Sequence, residues 1–274
     1  MAVKTLKTNL SESNLGDCYN EVSVLSHLRH PNLVLFLGAV IDDGPLWIVS
    51  EFMEGGSLED FFKAKKRQRK GKPFRPLASD VLRWLTDFAR ALCFLHNACP
   101  CIIHRDLKPG NLLLSAEGHM KIGDFGLSKI VKGKMQQDRY VMTGRTGTLR
   151  YMAPEVMEEE SYSEKVDIYS LAFNVWFMCT GERPLELYMR QVTSAFKVDE
   201  MTKHLREGLR PDVSRIQPAI AALLVRCWAQ DPDERPSAQE LCDLLPSLKD
   251  EIRLSAKCAS KAPMPAGDKS CSLQ

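Results

Sequence analysis

The chain has 274 residues, 44% of them hydrophobic, which is enough to bury a sizeable core in one large domain or in two lobes. Its formal net charge of +2 provides no global field for nucleic acid or an anionic membrane, so neither is an expected partner. Nine cysteines form no regular pairs, and no apolar leader or membrane span is visible, which predicts a reducing, cytoplasmic setting.

The first 53 residues predict a small β-rich unit. Residues 1–6 alternate apolar and polar side chains, as a half-buried strand does, and a helical pattern follows at residues 18–28. Two further strands are predicted at residues 33–40 and 46–52, separated by an Asp-Gly-Pro turn signal.

The remainder of the chain is mainly helical in pattern. Residues 78–96 have apolar side chains at three-and-four spacing, which is typical of an amphipathic helix. Residues 163–181 are apolar on almost every side, so this helix is expected to lie buried within the larger part. Two more helices are predicted at residues 219–230 and 237–252.

A basic stretch interrupts this pattern at residues 63–75, where eight Lys and Arg residues occur without a single acid. The simplest interpretation is a solvated loop between two helices. A nuclear-import or anion-binding patch is the alternative.

Polar residues suited to catalysis concentrate in "IIHRDLKPGNLLL" and "KIGDFGLSK". Asp106, Lys108 and Asn111 lie within six residues between two apolar strands, and Asp124 follows another short strand. Carboxylate and amide oxygens are ligands that Mg²⁺ takes together with substrate phosphates. Turn-forming Asp and Asn residues would explain either segment alone, but explain the two together less well.

These motifs resemble those of eukaryotic protein kinases. "HRDLKPGN" is similar to the catalytic loop, "DFG" to the metal-binding loop, and "APE" follows at residues 153–155. "MAVK", "HPNLVLFLGA" and "DPDERPS" also stand in the family's order. The resemblance implies a two-lobed α+β fold, with a truncated, β-rich N-lobe at residues 1–53 and a larger helical C-lobe at 54–250. A disordered tail is expected at 251–274.

Catalytic roles follow from the resemblance, residue by residue. Asp106 would accept or orient the proton of the substrate hydroxyl, and Lys108 would steady the transferred phosphoryl group. Asn111 and Asp124 would bind Mg²⁺.

The cofactors implied are ATP and Mg²⁺. Lys4 would contact the ATP phosphates and pair with Glu21 on the predicted helix, an arrangement that works only when that helix is swung in. The ATP-binding residues implied by the resemblance are Ala2, Lys4, Ser50, Glu51, Met53 and Leu113.

Two packing features also follow from the resemblance. A hydrophobic column near Asp167 would link the two lobes. Its members would be Leu25, Phe36, His104 and Phe125. Glu155 and Arg235 would form a buried ion pair, and the loss of either partner is expected to be costly.

The substrate class implied is serine and threonine hydroxyls of proteins. Lys108 stands two positions after Asp106, and Thr148 is retained before "APE", both as in serine/threonine kinases. Other motifs, such as "CWAQDPDERPS", are similar to tyrosine kinases. This mixture resembles the tyrosine-kinase-like branch, whose members mostly phosphorylate serine and threonine, and dual specificity stays open.

The chain departs from the family pattern before Lys4, because three residues precede it and no G-x-G-x-x-G occurs in the sequence. The resemblance therefore lacks the glycine-rich loop, and little kinase activity is expected from residues 1–274 alone. A non-catalytic, kinase-like scaffold or binding module is the alternative function.

Two modifications are also predicted. A phosphate on Thr143 or Thr146 would pair with Arg105 and order the surrounding loop. The C-terminal Cys271-Ser-Leu-Gln matches a prenylation box, so a membrane partner is expected only if Cys271 is prenylated. The sequence leaves the oligomeric state open.

Overall fold

A computed structural model describes residues 1–6, 22–23, 25–40, 46–126, 128–131, 149–158, 161–191 and 197–261. A small antiparallel sheet comes first and mainly helices follow, so the predicted two-lobed α+β fold is confirmed. No helix in these described ranges is long and apolar enough to cross a membrane.

The small lobe contains a three-stranded antiparallel sheet. Its strands are β1 (Ala2–Leu6), β2 (Phe36–Val40) and β3 (Leu46–Ser50). β3 is central, and the register places Ala2 opposite Ser50 and Lys4 opposite Ile48. Ile48 is buried while its neighbour Trp47 is exposed, as the alternation of a half-buried strand requires. Helical backbone also occurs at residues 22–23 and 25–27.

Two short antiparallel ribbons flank the loops that carry Asp106, Asn111 and Asp124. They pair β4 (Cys101–Ile103) with β7 (Lys129–Val131), and β5 (Leu112–Leu114) with β6 (Met120–Ile122). The loop from β4 to β5 carries Asp106 and Asn111, and Asp124 follows β6. Because β5 and β6 pair antiparallel, Asn111 before β5 and Asp124 after β6 lie at the same end of this ribbon.

The large lobe is helical. Its helices are α1 (Leu58–Gln68), α2 (Ala78–His96), α3 (Pro154–Met157), α4 (Lys165–Thr180), α5 (Glu186–Gln191), α6 (Lys197–Arg206), α7 (Pro218–Cys227) and α8 (Ala238–Lys261). Short 3₁₀ turns occur at Leu149–Tyr151 and Pro232–Glu234.

Helix α4 lies at the centre of this lobe, as its apolar sequence predicts. Almost all of its residues are buried, Asp167 and Asn174 among them. Gly181 ends the helix with φ of 68°, and a Cβ there would lie 2.1 Å from the carbonyl oxygen of Phe74. Only glycine fits this helix end, because both the backbone angle and the available space exclude a side chain.

Two segments are more helical than the sequence suggested. The basic residues 63–68 continue α1 rather than forming a loop, because Lys, Ala, Arg and Gln are good helix formers. Helix α8 extends through residues 251–261, for which the sequence predicts a disordered tail. This part lacks glycine and proline and contains Ala and Lys, so nothing in its sequence ends the helix.

The predicted ion pair between Glu155 and Arg235 is present and buried. Arg235 donates from Nη1 to Glu155 Oε1 at 2.5 Å and from Nη2 to Oε2 at 3.1 Å, with both side chains at most 3% exposed. Its remaining donors reach the carbonyl oxygens of Ala229 and Lys165. The guanidinium group therefore joins α3, α4 and the segment before α8.

Arg235→Ala is expected to destabilise the protein by about 3–5 kcal/mol, because it leaves the Glu155 carboxylate buried without its partner. Chemical denaturation followed by circular dichroism measures the free energy of unfolding. Arg253→Ala is the matched control, since Arg253 is 64% exposed and lies 3.9 Å from Asp250. The control should change stability by less than about 1 kcal/mol. Equal effects of the two variants would contradict the assigned role of the buried pair.

Candidate active site

The loop between β4 and β5 positions the carboxylate of Asp106. Lys108 Nζ donates to Asp106 Oδ2 at 2.6 Å, and Asn111 Nδ2 donates to the same oxygen at 2.9 Å. Asn111 Nδ2 also reaches the backbone oxygen of Asp106 at 2.8 Å. The other carboxylate oxygen, Oδ1, is buried and has no hydrogen-bond partner within the described ranges. A buried acceptor without a partner is costly, so this oxygen is suited to receive a hydroxyl group.

Asp124 contacts the small lobe through its side chain. Its Oδ1 accepts a hydrogen bond from Lys4 Nζ at 2.8 Å, which joins β1 to the end of β6. Its backbone has φ of 61°, a left-handed value that few non-glycine residues adopt. Glu21, the predicted partner of Lys4, lies outside the described residues.

The charge of Asp124 is maintained by its neighbours. Burial alone would raise the pKa of this carboxyl group, but the ammonium group of Lys4 and the charges of His104 and Lys108 outweigh burial and lower the pKa. Asp124 is therefore ionised at neutral pH, which is the state that a metal ligand requires.

Two side chains of this site have the donor atoms that could hold a magnesium ion. Because the amide nitrogen of Asn111 faces Asp106, the amide oxygen is the atom left to act as a ligand. Asp124 adds an ionised carboxylate, and hard oxygen donors of this kind suit Mg²⁺. The donor chemistry therefore supports Asn111 and Asp124 as the metal-binding pair.

A second, fully buried carboxylate holds the loop between β4 and β5 in place. Asp167 on α4 accepts hydrogen bonds from the backbone N–H of His104 at 2.8 Å and of Arg105 at 2.9 Å. His96 Nε2, on α2, lies 3.0 Å from Asp167 Oδ2. Burial acts to raise the pKa of Asp167, but the hydrogen bond and charge of His96, the charge of His104 and its backbone N–H lower it overall.

The residues of the predicted column belong to one core. The rings of His104 and Phe125 meet at 4.9 Å with an interplanar angle of 62°. Leu25 is buried in the same hydrophobic cluster, and Phe36 packs against it. His104 also contacts the Gly123 carbonyl oxygen through Nε2 at 3.1 Å. This column places the loops carrying Asp106 and Asp124 against each other.

The segment after β3 connects the two lobes beside Leu113. Gly55 N–H donates to the Leu114 carbonyl oxygen at 2.9 Å, and Met53 is buried. Ala2 and Ser50 are paired across the sheet. Glu51 accepts both a backbone hydrogen bond from Leu35 and the ammonium group of Lys121. Of the residues that the resemblance assigns to ATP, Glu51 and Met53 thus lie in the connecting segment, and Ser50 and Ala2 lie on the strands next to it.

Sequence reasoning missed the contributions of His96 and Lys121. His96 contacts Asp167 across 71 positions, and Lys121 contacts Glu51 across 70 positions. Neither residue belongs to a recognised motif. The predicted residues Thr143, Thr146, Thr148 and Cys271 lie outside the described residues.

Comparisons with known proteins agree with the sequence resemblance. The family described as protein kinase domain matches residues 1–244. The chain is 38% identical over 258 residues to the serine/threonine-protein kinase VIK of Arabidopsis thaliana, covering 92% of this chain and 55% of that protein.

Two other Arabidopsis thaliana proteins are also similar. The serine/threonine-protein kinase STY17 is 35% identical over 254 residues, covering 92% of this chain and 41% of its own. The serine/threonine/tyrosine-protein kinase HT1 is 33% identical over 244 residues, with 89% and 57% covered. The chain therefore spans about half the length of these curated relatives.

Asp167→Asn is expected to destabilise the protein by roughly 1–3 kcal/mol, because the amide NH₂ group replaces one acceptor and leaves a buried donor unpaired. The free energy of unfolding measured by urea denaturation tests this. Asp250→Asn is the control, since Asp250 is 73% exposed. A variant as stable as the control would contradict the role of Asp167 as the anchor of the loop.

The stabilisation provided by Asp167 is also expected to depend on pH. The pKa of Asp167 is lowered in the folded state, so its stabilising contribution is present above its unfolded pKa of about 3.9 and is lost as the pH falls further. The difference in stability between wild type and Asp167→Asn should be full at neutral pH and shrink below about pH 4. A difference that stays constant down to the acid transition would contradict this.

Proposed function

The chain belongs to the protein kinase family, and we propose that it transfers the γ-phosphate of ATP to serine and threonine hydroxyls of protein substrates. The observation that carries this proposal is the buried Asp106 carboxylate, which has one oxygen held by Lys108 and Asn111 and the other without a partner among the described residues. A carboxylate held in this way is positioned to accept a hydroxyl proton.

In this proposal, Asp106 orients the substrate hydroxyl group and receives its proton as the oxygen attacks. Lys108, bound to Asp106 at 2.6 Å, supplies positive charge next to the transferred phosphoryl group. Phosphoryl transfer depends mainly on positioning and charge stabilisation, so the rigidity of this loop matters for the rate.

Asn111 and Asp124 are proposed to hold Mg²⁺, which neutralises phosphate charge when bound. Lys4 is proposed to bind the ATP phosphates. In the structure, Lys4 donates to Asp124, so a phosphate group would take over part of that contact. Glu21 is proposed as the second partner of Lys4.

The adenine group is proposed to lie between Ala2 and Leu113. The Glu51 carbonyl oxygen and the Met53 N–H group would bind its polar edge, and Ser50 would lie behind it. This proposal is supported by the burial of Met53 and by the pairing of Ala2 with Ser50 at the junction between the lobes.

Serine and threonine are proposed as the acceptor residues, because all three relatives described above carry serine/threonine in their names. One of those names also includes tyrosine, so dual specificity is tested directly with peptides of each kind. A cytoplasmic location is proposed because the cysteines of the sequence form no regular pairs, as is usual in a reducing compartment.

A non-catalytic scaffold or binding module is the second candidate. The observation in its favour is that the 274 residues contain no G-x-G-x-x-G motif. A module freed from catalysis has no physical need for Asp106, Asn111 and Asp124 together, so the catalytic proposal is preferred. A kinase should bind nucleotide in the presence of Mg²⁺ and turn it over, whereas a scaffold should not turn it over.

The variants Asp124→Asn and Asp106→Asn are expected to affect different steps. Asp124→Asn removes a charged metal ligand and should abolish magnesium-dependent stabilisation by ATP. Asp106→Asn should keep this stabilisation, which is about 2.7 kcal/mol at a ligand concentration of 100 times Kd. It should lower turnover by roughly 10²–10⁴-fold.

Thermal unfolding with ATP, with and without Mg²⁺, measures binding, and phosphate transfer to a protein substrate measures turnover. Melting temperatures without nucleotide confirm that both variants fold. If the two variants lost nucleotide binding to the same extent, the separate roles proposed for the two aspartates would be wrong. Wild-type protein that bound no nucleotide would favour the scaffold alternative.

A glycine-rich hairpin placed upstream of Lys4 is expected to raise both nucleotide affinity and turnover. Such a hairpin would provide backbone N–H groups to the phosphates and cover the adenine group. The measurement compares kcat/KM of residues 1–274 with that of the same chain preceded by the hairpin. A hairpin with its glycines replaced by valine is the matched control. A gain of less than tenfold, which is about 1.4 kcal/mol of barrier, would contradict the expectation.

A further inference from the structure

Two cysteines share a cavity on the large lobe, away from the candidate active site. The cavity has a volume of about 430 Å³ and lies where α2 and α8 pack together. Cys93 on α2 and Cys242 on α8 both line it, together with Arg90 and Asn97. Both cysteines are half-buried and are free thiols. The cavity therefore gives small solutes access to two thiols at once.

The contacts of Cys93 bring it directly to α8. Its Sγ donates to Gln239 Oε1 at 3.1 Å and accepts a hydrogen bond from Asn97 Nδ2 at 3.2 Å. Gln239 lies three positions before Cys242, so the two residues share one face of α8. Cys93 therefore contacts α8 one helical turn before Cys242, and both thiols line the same cavity. The geometry is therefore that of a dithiol rather than of two separate cysteines.

We propose that Cys93 and Cys242 form a reversible disulfide bond between α2 and α8 when the protein meets a peroxide. No kinase activity is needed for this reaction, so the proposal is independent of the proposed function.

The reaction is a two-electron oxidation with hydrogen peroxide as the oxidant. The sulfur of Cys93, after losing its proton, attacks one peroxide oxygen, the O–O bond breaks, and the released hydroxide takes up a proton to become water. The sulfenic acid on Cys93 is then attacked by the sulfur of Cys242. Its hydroxyl group leaves with the Cys242 proton as a second water, and the S–S bond forms. A small thiol reverses the bond by exchange.

The surroundings assign the two steps to different residues. The Asn97 amide donates a hydrogen bond to the sulfur of Cys93, and Arg90 lines the same cavity. Burial, followed by the nearby Cys93, raises the pKa of Cys242 to about 11. Cys242 therefore stays protonated and acts second, as the resolving thiol.

A metal site is the less favoured alternative for this pair. Within the described ranges, no group of three or more His, Cys, Asp and Glu residues is arranged to hold a metal ion. Two thiols without further ligands do not complete the four-coordinate shell of a structural zinc site. A disulfide bond requires only the two sulfurs.

Peroxide treatment of the 274-residue protein tests the proposal. Peptide mapping without reductant should identify one cross-linked pair of peptides that contains Cys93 and Cys242, lighter than the two reduced peptides by two hydrogen atoms. The oxidised protein should melt up to roughly 10 °C higher than the reduced protein, because the bond closes a long loop in the unfolded chain. Dithiothreitol should reverse both changes.

Matched variants distinguish the pair from general thiol oxidation. Cys93→Ser and Cys242→Ser should each remove the cross-link and the melting shift, whereas Cys99→Ser should keep both. Cys99 is the most exposed of the described cysteines, so exposure alone would make it react first. Peroxide adducts mainly on Cys99, or wild-type protein that stays reduced at Cys93 and Cys242 under these conditions, would overturn the proposal. The wild-type map decides the matter even if a serine variant fails to fold.

Discussion

The carboxylate of Asp167 is the group on which the arrangement of the candidate site depends. It lies on the buried helix α4 and accepts hydrogen bonds from the backbone N–H groups of His104 and Arg105. These two residues directly precede Asp106, the proposed catalytic residue. Arg105 has φ of 68°, an angle that costs free energy in a non-glycine residue. The two hydrogen bonds that the loop donates to this fully buried acceptor offset that cost and hold the backbone next to Asp106 in place.

The site combines a rigid half with a more exposed half. Asp106 is 5% exposed and Asn111 is 6% exposed, and their contacts lie within one loop. The side chains of Lys4 and Asp124 are 40% and 43% exposed, and their contact joins the two lobes. Exposed ion pairs contribute little to stability, so incoming phosphate and metal can replace this contact at low cost. This division agrees with the proposed function, in which Asp106 stays fixed while Lys4 and Asp124 exchange their mutual contact for phosphate and metal.

Local patterns in the sequence accounted for the elements and motifs whose physics is local. The spacing of apolar residues predicted α2 at residues 78–96, and its observed bounds are Ala78–His96. The composition of residues 163–181 predicted a buried helix, and α4 is buried on nearly every side. The contacts of His96 and Lys121 could not be predicted this way, because they join residues about 70 positions apart. The end of α8 was misjudged because small, polar residues suit a helix as well as a flexible tail.

Helix α2 connects the anchored loop to the cysteine cavity. His96 and Cys93 are three positions apart, and so lie next to each other on the helix surface. His96 reaches inward to Asp167, while Cys93 reaches Gln239 on α8. A covalent bond at Cys93 would therefore restrain the same helical turn that supports the anchor of the catalytic loop. Since α2 is regular through this turn and its inner residues are fully buried, the restraint would stiffen the loop's support rather than displace it.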